Sequence, residues 1–249
     1  MSHTRRILGL SRSLLIYHAI PGRQRRLRRL YRRFVEKGDL VFDLGAHVGN
    51  RTRAFKALGC RVVALDPHPD CARLLRILYA GTDHVDVVEA AATSTLGYTG
   101  LSISERYPTL TTTNDKWRDN RSNEALFDDI IWNTPISIKT TTLDALIERY
   151  GTPSFVKIDV EGAEPSVFAG LSQPLSACSF EYLPYCLDDV RKCVNHLNSL
   201  GCYRFNWSPG ETYEFGSTTW MSGPQLQEML ESATAKRQSG DVYAQLERR

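Results

Sequence analysis

The chain has 249 residues and a mass of 28.1 kDa, a length that suits one well-buried domain and is short for two. Hydrophobic residues make up 42% and charged residues 24%, values that exclude wholesale disorder. The total formal charge of +3 is unevenly distributed, because residues 1–37 carry eleven Lys or Arg and one acid, a formal +10 that leaves −7 for residues 38–249. This asymmetry argues against a surface that binds nucleic acid throughout.

Two further sequence features concern the compartment. No run of about 18 apolar residues is present, so we expect no transmembrane helix. The apolar run at 14–17 follows basic residues, but it is soon broken by Pro21 and Gly22 and no small-residue cleavage site follows, which argues against an export signal. The six cysteines form no Cys-x-x-Cys pair, and we expect reduced thiols in a cytoplasmic protein.

The predicted elements alternate between helices and short buried strands. An amphipathic helix with an arginine-rich outer face is predicted over residues 23–37, where apolar side chains recur at helical spacing. Strands are predicted at 40–45, 60–66, 85–92 and 176–184, and in the first part of each of the segments 137–151 and 154–164. Two further strands, at 203–207 and near 213–220, are predicted to form an antiparallel edge hairpin. Helices are predicted at 50–59, 69–80, the second part of 137–151, 165–171, 188–200 and in the charged tail from about 225. This alternation predicts an α/β fold with a doubly wound, mostly parallel sheet.

The domain organisation follows from the same pattern. We predict a basic helical N-terminal extension at 1–37 and a single domain at 38–249. Residues 93–137 are rich in Thr, Ser, Asn and Asp and predict an irregular or hairpin insertion over one edge of the sheet. We expect the region near 95–137 to recognise the substrate.

The turn after the first predicted strand is the first candidate binding feature, because ligands of open parallel sheets bind at the carboxyl ends of the strands. Gly45 allows a tight turn there, and Gly49 allows the next helix to begin close to a ligand. The G-x-x-x-G spacing differs from G-x-G-x-x-G and disfavours a dinucleotide. Asp43 would repel a phosphate but suits a cationic amino-acid ligand.

Asp66 ends the second predicted strand, 21 residues after Gly45. A carboxylate at this place can accept hydrogen bonds from both ribose hydroxyls of a nucleoside. Together with the glycine turn it predicts an adenosine-containing ligand. The alternative interpretation is an ordinary tight turn followed by an Asp that caps a helix.

Three carboxylates follow a later predicted strand within six residues, namely Asp159, Glu161 and Glu164. The strand before them should end in the same crevice as the first two predicted strands. Clustered carboxylates are costly in free energy unless they are exposed to solvent or take part in binding or catalysis.

Four segments carry a resemblance to a known family: DLGAHVGNRT, VALDPHP, TTLDAL and, above all, VKIDVEGAEPSVFAGL. They resemble the FkbM-type S-adenosylmethionine-dependent methyltransferases, and the resemblance covers residues 34–185.

The resemblance implies a class I methyltransferase (Rossmann-like) fold with a seven-stranded sheet and an antiparallel edge strand. It also implies roles for individual residues. Those around the methionine part of the cofactor would be Asp43, Gly45, Ala46, Gly49 and Asn50. Those at the ribose would be Asp66 and Pro67, and those bordering the adenine would be Glu89, Ala90 and Ala91. Asp159 and Glu161 would lie near the reacting methyl group, as cofactor contact and candidate catalytic residues. His47 stands where the family pattern has Asn.

Several residues are candidates for the base in a methyl transfer, namely Glu161, Glu164, His47 and His68. Glu164 can instead cap the short helix that follows it. A divalent metal ion is a further, less favoured possibility, because Asp159 and Glu181 end neighbouring strands and carboxylate oxygens suit Mg²⁺.

The sequence leaves three interpretations of the arginine-rich helix: the solvated face of a packing helix, a site for an anionic substrate or surface, and an RNA-binding element. No RNA-binding motif is present, which disfavours nucleic acid. The favoured function is O-methylation of a small-molecule or carbohydrate-type acceptor. The alternatives are an RNA or protein methyltransferase that uses the basic helix, and a catalytically inactive cofactor-binding module.

Overall fold

The structure, a computed structural model, describes Leu14 and residues 20–104, 111–114, 135–234 and 239–247. The helices in this part of the chain are α1 (Arg23–Tyr31), α2 (Asn50–Ala57), α3 (Pro69–Leu78), α4 (Leu143–Tyr150), α5 (Glu164–Ala169), α6 (Leu187–Leu200) and α7 (Gly223–Thr234). The strands are β1 (Leu40–Leu44), β2 (Arg61–Leu65), β3 (Val85–Val88), β4 (Ala91–Ala92), β5 (Gly97–Leu101), β6 (Ile136–Thr141), β7 (Phe155–Ile158), β8 (Ala177–Tyr182), β9 (Tyr203–Pro209) and β10 (Gly240–Leu246).

A seven-stranded sheet with the order β3-β2-β1-β7-β8-β10-β9 forms the centre of the molecule. The neighbours from β3 to β8 are parallel, and β10 is antiparallel to both β8 and β9. The doubly wound α/β class I methyltransferase architecture predicted from the sequence is therefore confirmed. Because β1, β2 and β7 are parallel neighbours, their carboxyl ends meet at one edge of the sheet.

The antiparallel strand differs from its prediction in position and in residues. The partner of β9 is β10, from the tail that was predicted to be helical, and β10 lies second from the edge. Residues 213–220 contain no strand; Met221 forms only an isolated bridge with Phe205. The physical reason is burial, because Val242, Tyr243 and Ala244 are buried in a strand that has a neighbour on each side. The charged residues around this short apolar run made it hard to recognise as a strand in the sequence.

Two other predicted elements are shorter than expected. The strand expected at 85–92 divides into β3 and β4, and β4 belongs to a second sheet with the order β4-β6-β5. In this sheet β5, from the predicted insertion, pairs antiparallel with β6, which begins at the end of that insertion. Helix α1 ends at Tyr31 instead of residue 37, because the N–H groups of Arg33 and Phe34 bond to carbonyl oxygens three residues back and tighten the last turn.

Helix α1 packs into the hydrophobic core, although the sequence pattern placed it in an extension. Leu27, Leu30 and Tyr31 are buried against one face of the sheet together with Phe55 of α2 and Phe155 of β7. The rings of Tyr31 and Phe55 lie 4.2 Å apart, centroid to centroid. Helices α4 to α7 cover the opposite face. In the described part of the chain, no helix combines the length and the apolar character needed to cross a membrane.

Candidate active site

A cavity opens where β1, β2 and β7 end, and the β1–α2 turn forms its floor. Gly45 has φ of 79°, and a Cβ on this residue would lie 1.7 Å from the carbonyl oxygen of Asp159. Only glycine therefore lets the end of β1 pass so close to the end of β7. The turn is tied to β2, because the N–H groups of Gly45 and Ala46 both donate to the Leu65 carbonyl at 2.9 and 3.0 Å.

Two non-glycine residues that line the cavity have left-handed backbone conformations. His47 has φ of 50° and Glu161 has φ of 54°. Such conformations cost free energy and are retained where the surrounding structure fixes them, often at functional sites. They follow the carboxyl ends of the neighbouring parallel strands β1 and β7, so the two turns belong to one site.

Asp66 is held in a fixed orientation at the end of β2. Its Oδ2 accepts a hydrogen bond from the His47 N–H at 2.7 Å, and its Oδ1 accepts one from the His68 N–H at 2.9 Å. Burial raises the pKa of Asp66 to about 7, although these two hydrogen bonds oppose the shift. Each oxygen retains a further lone pair that a ligand hydroxyl can use.

Asp159 belongs to a network of charged groups at the end of β7. Its Oδ2 lies 3.4 Å from both Lys157 Nζ and a guanidinium nitrogen of Arg51. Lys157 is fully buried and also pairs with Asp241 at 3.0 Å. Burial opposes ionisation of Asp159, but Lys157 and Arg51 outweigh it and lower the pKa of this carboxyl. Asp159 is thus an anion and a weak base.

Three carboxylates form a cluster beside this network. One oxygen from each of Asp159, Glu161 and Glu181 lies within 4.8 Å of the other two. Burial, and then the charges of Glu161 and Asp159, raise the pKa of Glu181 well above its usual value. The cluster could hold a divalent cation, since its donors are hard oxygens. However, Lys157 and Arg51 already supply positive charge to Asp159.

The structure brings most of the predicted site residues to the cavity. The predicted residues that line it are Gly45, Ala46, Asn50, Asp66, Pro67, Ala91, Asp159 and Glu161. The candidate bases His47 and His68 line it as well. Glu164 lies outside the lining and accepts a hydrogen bond from the Val160 N–H, so it stabilises the turn after β7 instead of capping α5.

Four of the residues carried over from the resemblance lie outside the cavity lining. Asp43 is fully buried beneath the turn, where its Oδ2 accepts a 2.5 Å hydrogen bond from Thr52. Gly49 precedes α2 and packs close to α3. Glu89 is 39% exposed and pairs with Arg76, because the chain leaves the large sheet after β3. Ala90 is buried in the core beside it, while Ala91 and Ala92 reach the cavity.

Other cavity residues were not identified from the sequence. Arg51 follows Asn50 in the first turn of α2, where a cation next to a glycine turn could have indicated a site. The threonines at 111–113 also line the cavity. Thr112 donates to the Glu161 carbonyl at 2.8 Å and Asn114 donates to the Gly162 carbonyl at 2.5 Å, so this segment is fixed on the turn after β7. Parts of the predicted substrate region, 105–110 and 115–134, lie outside the described residues.

The cavity fits an adenosine-containing cofactor by two observations. Asp66 lines the cavity, and each of its carboxylate oxygens has a lone pair that suits a ribose hydroxyl. The side-chain nitrogen Nδ2 of Asn50, a residue only 4% exposed, has no hydrogen-bond partner in the described part of the chain. A ligand acceptor would satisfy this donor, as buried polar groups require.

Comparison with known proteins gives the family. A TehB-like S-adenosylmethionine-dependent methyltransferase from Corynebacterium glutamicum has a similar structure, with a TM-score of 0.50, 8% identity and coverage of 99% of both chains. An O-methyltransferase from Bacillus cereus in complex with S-adenosylhomocysteine has a TM-score of 0.49, 14% identity and coverage of 96% of this chain and 90% of that one. A search of curated proteins finds no match. The sequence matches the methyltransferase FkbM domain over residues 43–229. The chain therefore belongs to the FkbM methyltransferase domain family and is an S-adenosylmethionine-dependent methyltransferase.

Proposed function

We propose that the enzyme methylates a hydroxyl oxygen of a small-molecule or carbohydrate-type acceptor. The observation that carries this proposal is the position of Glu161, a carboxylate in a strained turn that lines the cofactor cavity. S-adenosylmethionine, when bound, supplies an electrophilic methyl group. Alignment of the acceptor can contribute about 7–11 kcal/mol to such a reaction, so the residues that hold the acceptor matter more than the base.

Among the clustered carboxylates, Glu161 is our choice for the group that accepts the hydroxyl proton. Asp159 is kept anionic by Lys157 and Arg51, which weakens it as a base and suits it to fixing the geometry of the site. Glu181 lies beside Glu161, and burial together with the charges of Glu161 and Asp159 raises the pKa of Glu181. A hydroxyl proton taken by Glu161 can thus be shared within the cluster.

A polar cleft next to the cofactor cavity supports the choice of acceptor. The cleft and the cavity share Thr113 and meet at the turn after β7. Its lining is rich in hydroxyl groups, from Thr93, Ser94, Thr95, Thr99, Thr113, Thr140 and Ser166. Tyr98 lines the cleft as well and is 71% exposed. Hydroxyl groups together with an accessible aromatic ring match the polar edges and apolar faces of a carbohydrate.

The charge of the cleft favours a neutral acceptor. Lys192 is the only Lys or Arg among the described residues that line the cleft, and its Nζ lies 2.6 Å from Asp189 Oδ1. The pair leaves no net charge to select an anion.

The test of this function uses isotopically labelled S-adenosylmethionine and extracts of the organism that produces the protein. We expect label in the small-molecule fraction, and Glu161→Gln should lower the rate by about 10²–10⁴-fold, the usual contribution of a general base. Glu148→Gln, a change on α4 away from the cavity, serves as the matched control. Label found only in RNA or protein would contradict the proposal.

We also propose that the exposed arginine face of α1 contacts an anionic surface, or an anionic group of the substrate that lies outside the polar cleft. Arg25, Arg26 and Arg32 are exposed, whereas Arg29 pairs with Glu214 and Arg33 stacks on Phe215. Such an interaction should weaken steeply with salt, and salt-independent kinetics would contradict it.

The six free cysteines support our proposal of a cytoplasmic location.

A further inference from the structure

The Gln24 side chain of helix α1 contacts a residue that lines the cofactor cavity. The amide nitrogen Nε2 of Gln24 donates to the backbone carbonyl of Asn50 at 2.9 Å and to its side-chain Oδ1 at 2.7 Å. Gln24 lies 26 residues before Asn50 and ahead of residue 43, where the match to the family begins. The contact therefore joins the N-terminal helix to the first residue of α2.

These two hydrogen bonds determine which way the side-chain amide of Asn50 faces. Because Oδ1 accepts from Gln24, the NH₂ group is the end that remains for another partner. Asn50 lines the cofactor cavity and is 4% exposed, and its Nδ2 has no partner in the described part of the chain. A buried amide donor without a partner is destabilising, so this NH₂ group indicates a ligand acceptor in the cavity.

The surroundings identify the ligand acceptor as an anion. Asn50 opens α2, and the N-terminus of a helix favours negative charge. Arg51 also lines the cavity, and its Nε is buried without a hydrogen-bond partner among the described residues. Asp66, at the end of β2, offers acceptors instead of donors and suits the ribose hydroxyls. The carboxylate of the methionine part is the one anionic group of the cofactor.

We propose that Gln24 is a positioning residue for cofactor binding. It turns the NH₂ group of Asn50 into the cavity, where this group donates to the carboxylate of the methionine part. The proposal rests on S-adenosylmethionine as the cofactor and is independent of the acceptor. It gives α1 a function in the site that is separate from its exposed arginine face.

The test is calorimetric titration of the full chain with two ligands. S-adenosylhomocysteine carries the amino-acid carboxylate, and 5′-methylthioadenosine lacks the amino-acid group. In Gln24→Glu, the new carboxylate can only accept, so the Asn50 amide should rotate and direct its oxygen into the cavity. We expect S-adenosylhomocysteine to bind about tenfold more weakly and 5′-methylthioadenosine to bind with unchanged affinity.

Two further variants separate this effect from charge repulsion and from misfolding. Gln24→Met is neutral and similar in length, and it should weaken S-adenosylhomocysteine about threefold because it leaves the amide free to rotate. Arg29→Ala, on the same helix but paired with Glu214 at the surface, should leave both affinities unchanged. In an Asn50→Ala background, neither Gln24 substitution should have a further effect, because Gln24 acts through Asn50.

The proposal is overturned by equal losses for the two ligands, or by a Gln24 effect that persists in the Asn50→Ala background. A wild-type chain that binds neither ligand would overturn the cofactor assignment and this proposal with it. Wild-type binding that Gln24→Glu and Gln24→Met leave unchanged would overturn this proposal alone.

Discussion

At the scale of single residues, Asp66 shows how the structure sharpens a role suggested by position. The sequence places a carboxylate at the end of a strand, where it can bind a ribose. The structure adds that two backbone N–H groups fix the carboxylate and that burial raises its pKa to about 7. Ribose hydroxyls donate to the ionised form, so binding and ionisation of this group are linked.

This linkage predicts a pH dependence of cofactor binding. Protons compete with the ribose for Asp66, so the affinity for S-adenosylhomocysteine should rise as the pH rises through about 7 and level off above it. Calorimetry at a series of pH values measures this. Asp66→Ala should bind at least about tenfold more weakly and lose the dependence. Tighter binding at pH 6 than at pH 8 would contradict the assignment of Asp66.

The buried Lys157–Asp241 pair predicts a large effect on stability. Both charges lie inside the sheet, and removal of Asp241 leaves buried Lys157 with its longer, 3.4 Å contact to Asp159. Asp241→Asn should therefore lower the free energy of unfolding by about 1–3 kcal/mol in urea. Glu247→Gln, which breaks the exposed pair with Arg204, should cost at most about 1 kcal/mol. Equal losses for the two variants would show that the buried pair is not a structural element.

The carboxylate cluster predicts activity without a metal ion. Lys157 and Arg51 supply positive charge beside Asp159, so this carboxylate is balanced without a cation. Methyl transfer should persist after exhaustive dialysis against a chelator. Loss of activity that Mg²⁺ restores would instead establish a metal site at Asp159, Glu161 and Glu181.

Several site residues could be predicted from the sequence because their roles depend on nearby residues. Gly45 and Asp66 follow strands at a spacing that the turn geometry requires. The Lys157–Asp241 pair could not be predicted, since 84 residues separate its members and no local pattern joins them. The same holds for Gln24, whose partner lies on another helix.

At the scale of elements, the strands nearest the site were the most predictable. The predicted strands at 40–45 and 60–66 agree with β1 and β2 to within a residue at each end, because each is a short apolar run bounded by breakers. Strand β10 was missed because its place in the sheet depends on β8 and β9, which the sequence of the tail does not reveal.

Helix α1 predicts different effects for two truncations. Deletion of residues 1–21 keeps α1 and Gln24, and should leave the affinity for S-adenosylhomocysteine nearly unchanged. Deletion of residues 1–31 also removes buried Leu27, Leu30 and Tyr31, each worth about 1.5–3 kcal/mol of burial, and should lower the thermal midpoint strongly. Equal thermal midpoints for the two deletions would show that α1 is not part of the folded core.

At the scale of the whole molecule, the uneven charge corresponds to two surfaces. The acidic body includes the carboxylates at the strand ends, which suit a sulfonium amino acid and its ribose. The basic N-terminal region contributes α1, which packs by its apolar side and exposes arginines on the other. The fold class and the cofactor could be predicted from the whole sequence. The acceptor could not, because the cleft that we assign to it is built from segments far apart in the chain.

The central claim is that this methyltransferase acts on a hydroxyl oxygen of a small molecule. The most direct measurement is NMR of the product formed from ¹³C-methyl-labelled S-adenosylmethionine and a small-molecule extract. Our account predicts a single labelled methyl group bound to oxygen, formed in smaller amount when Asp66→Ala replaces the wild-type protein at limiting S-adenosylmethionine. A labelled methyl group on nitrogen or carbon, or label transferred only to RNA or protein, would contradict the claim.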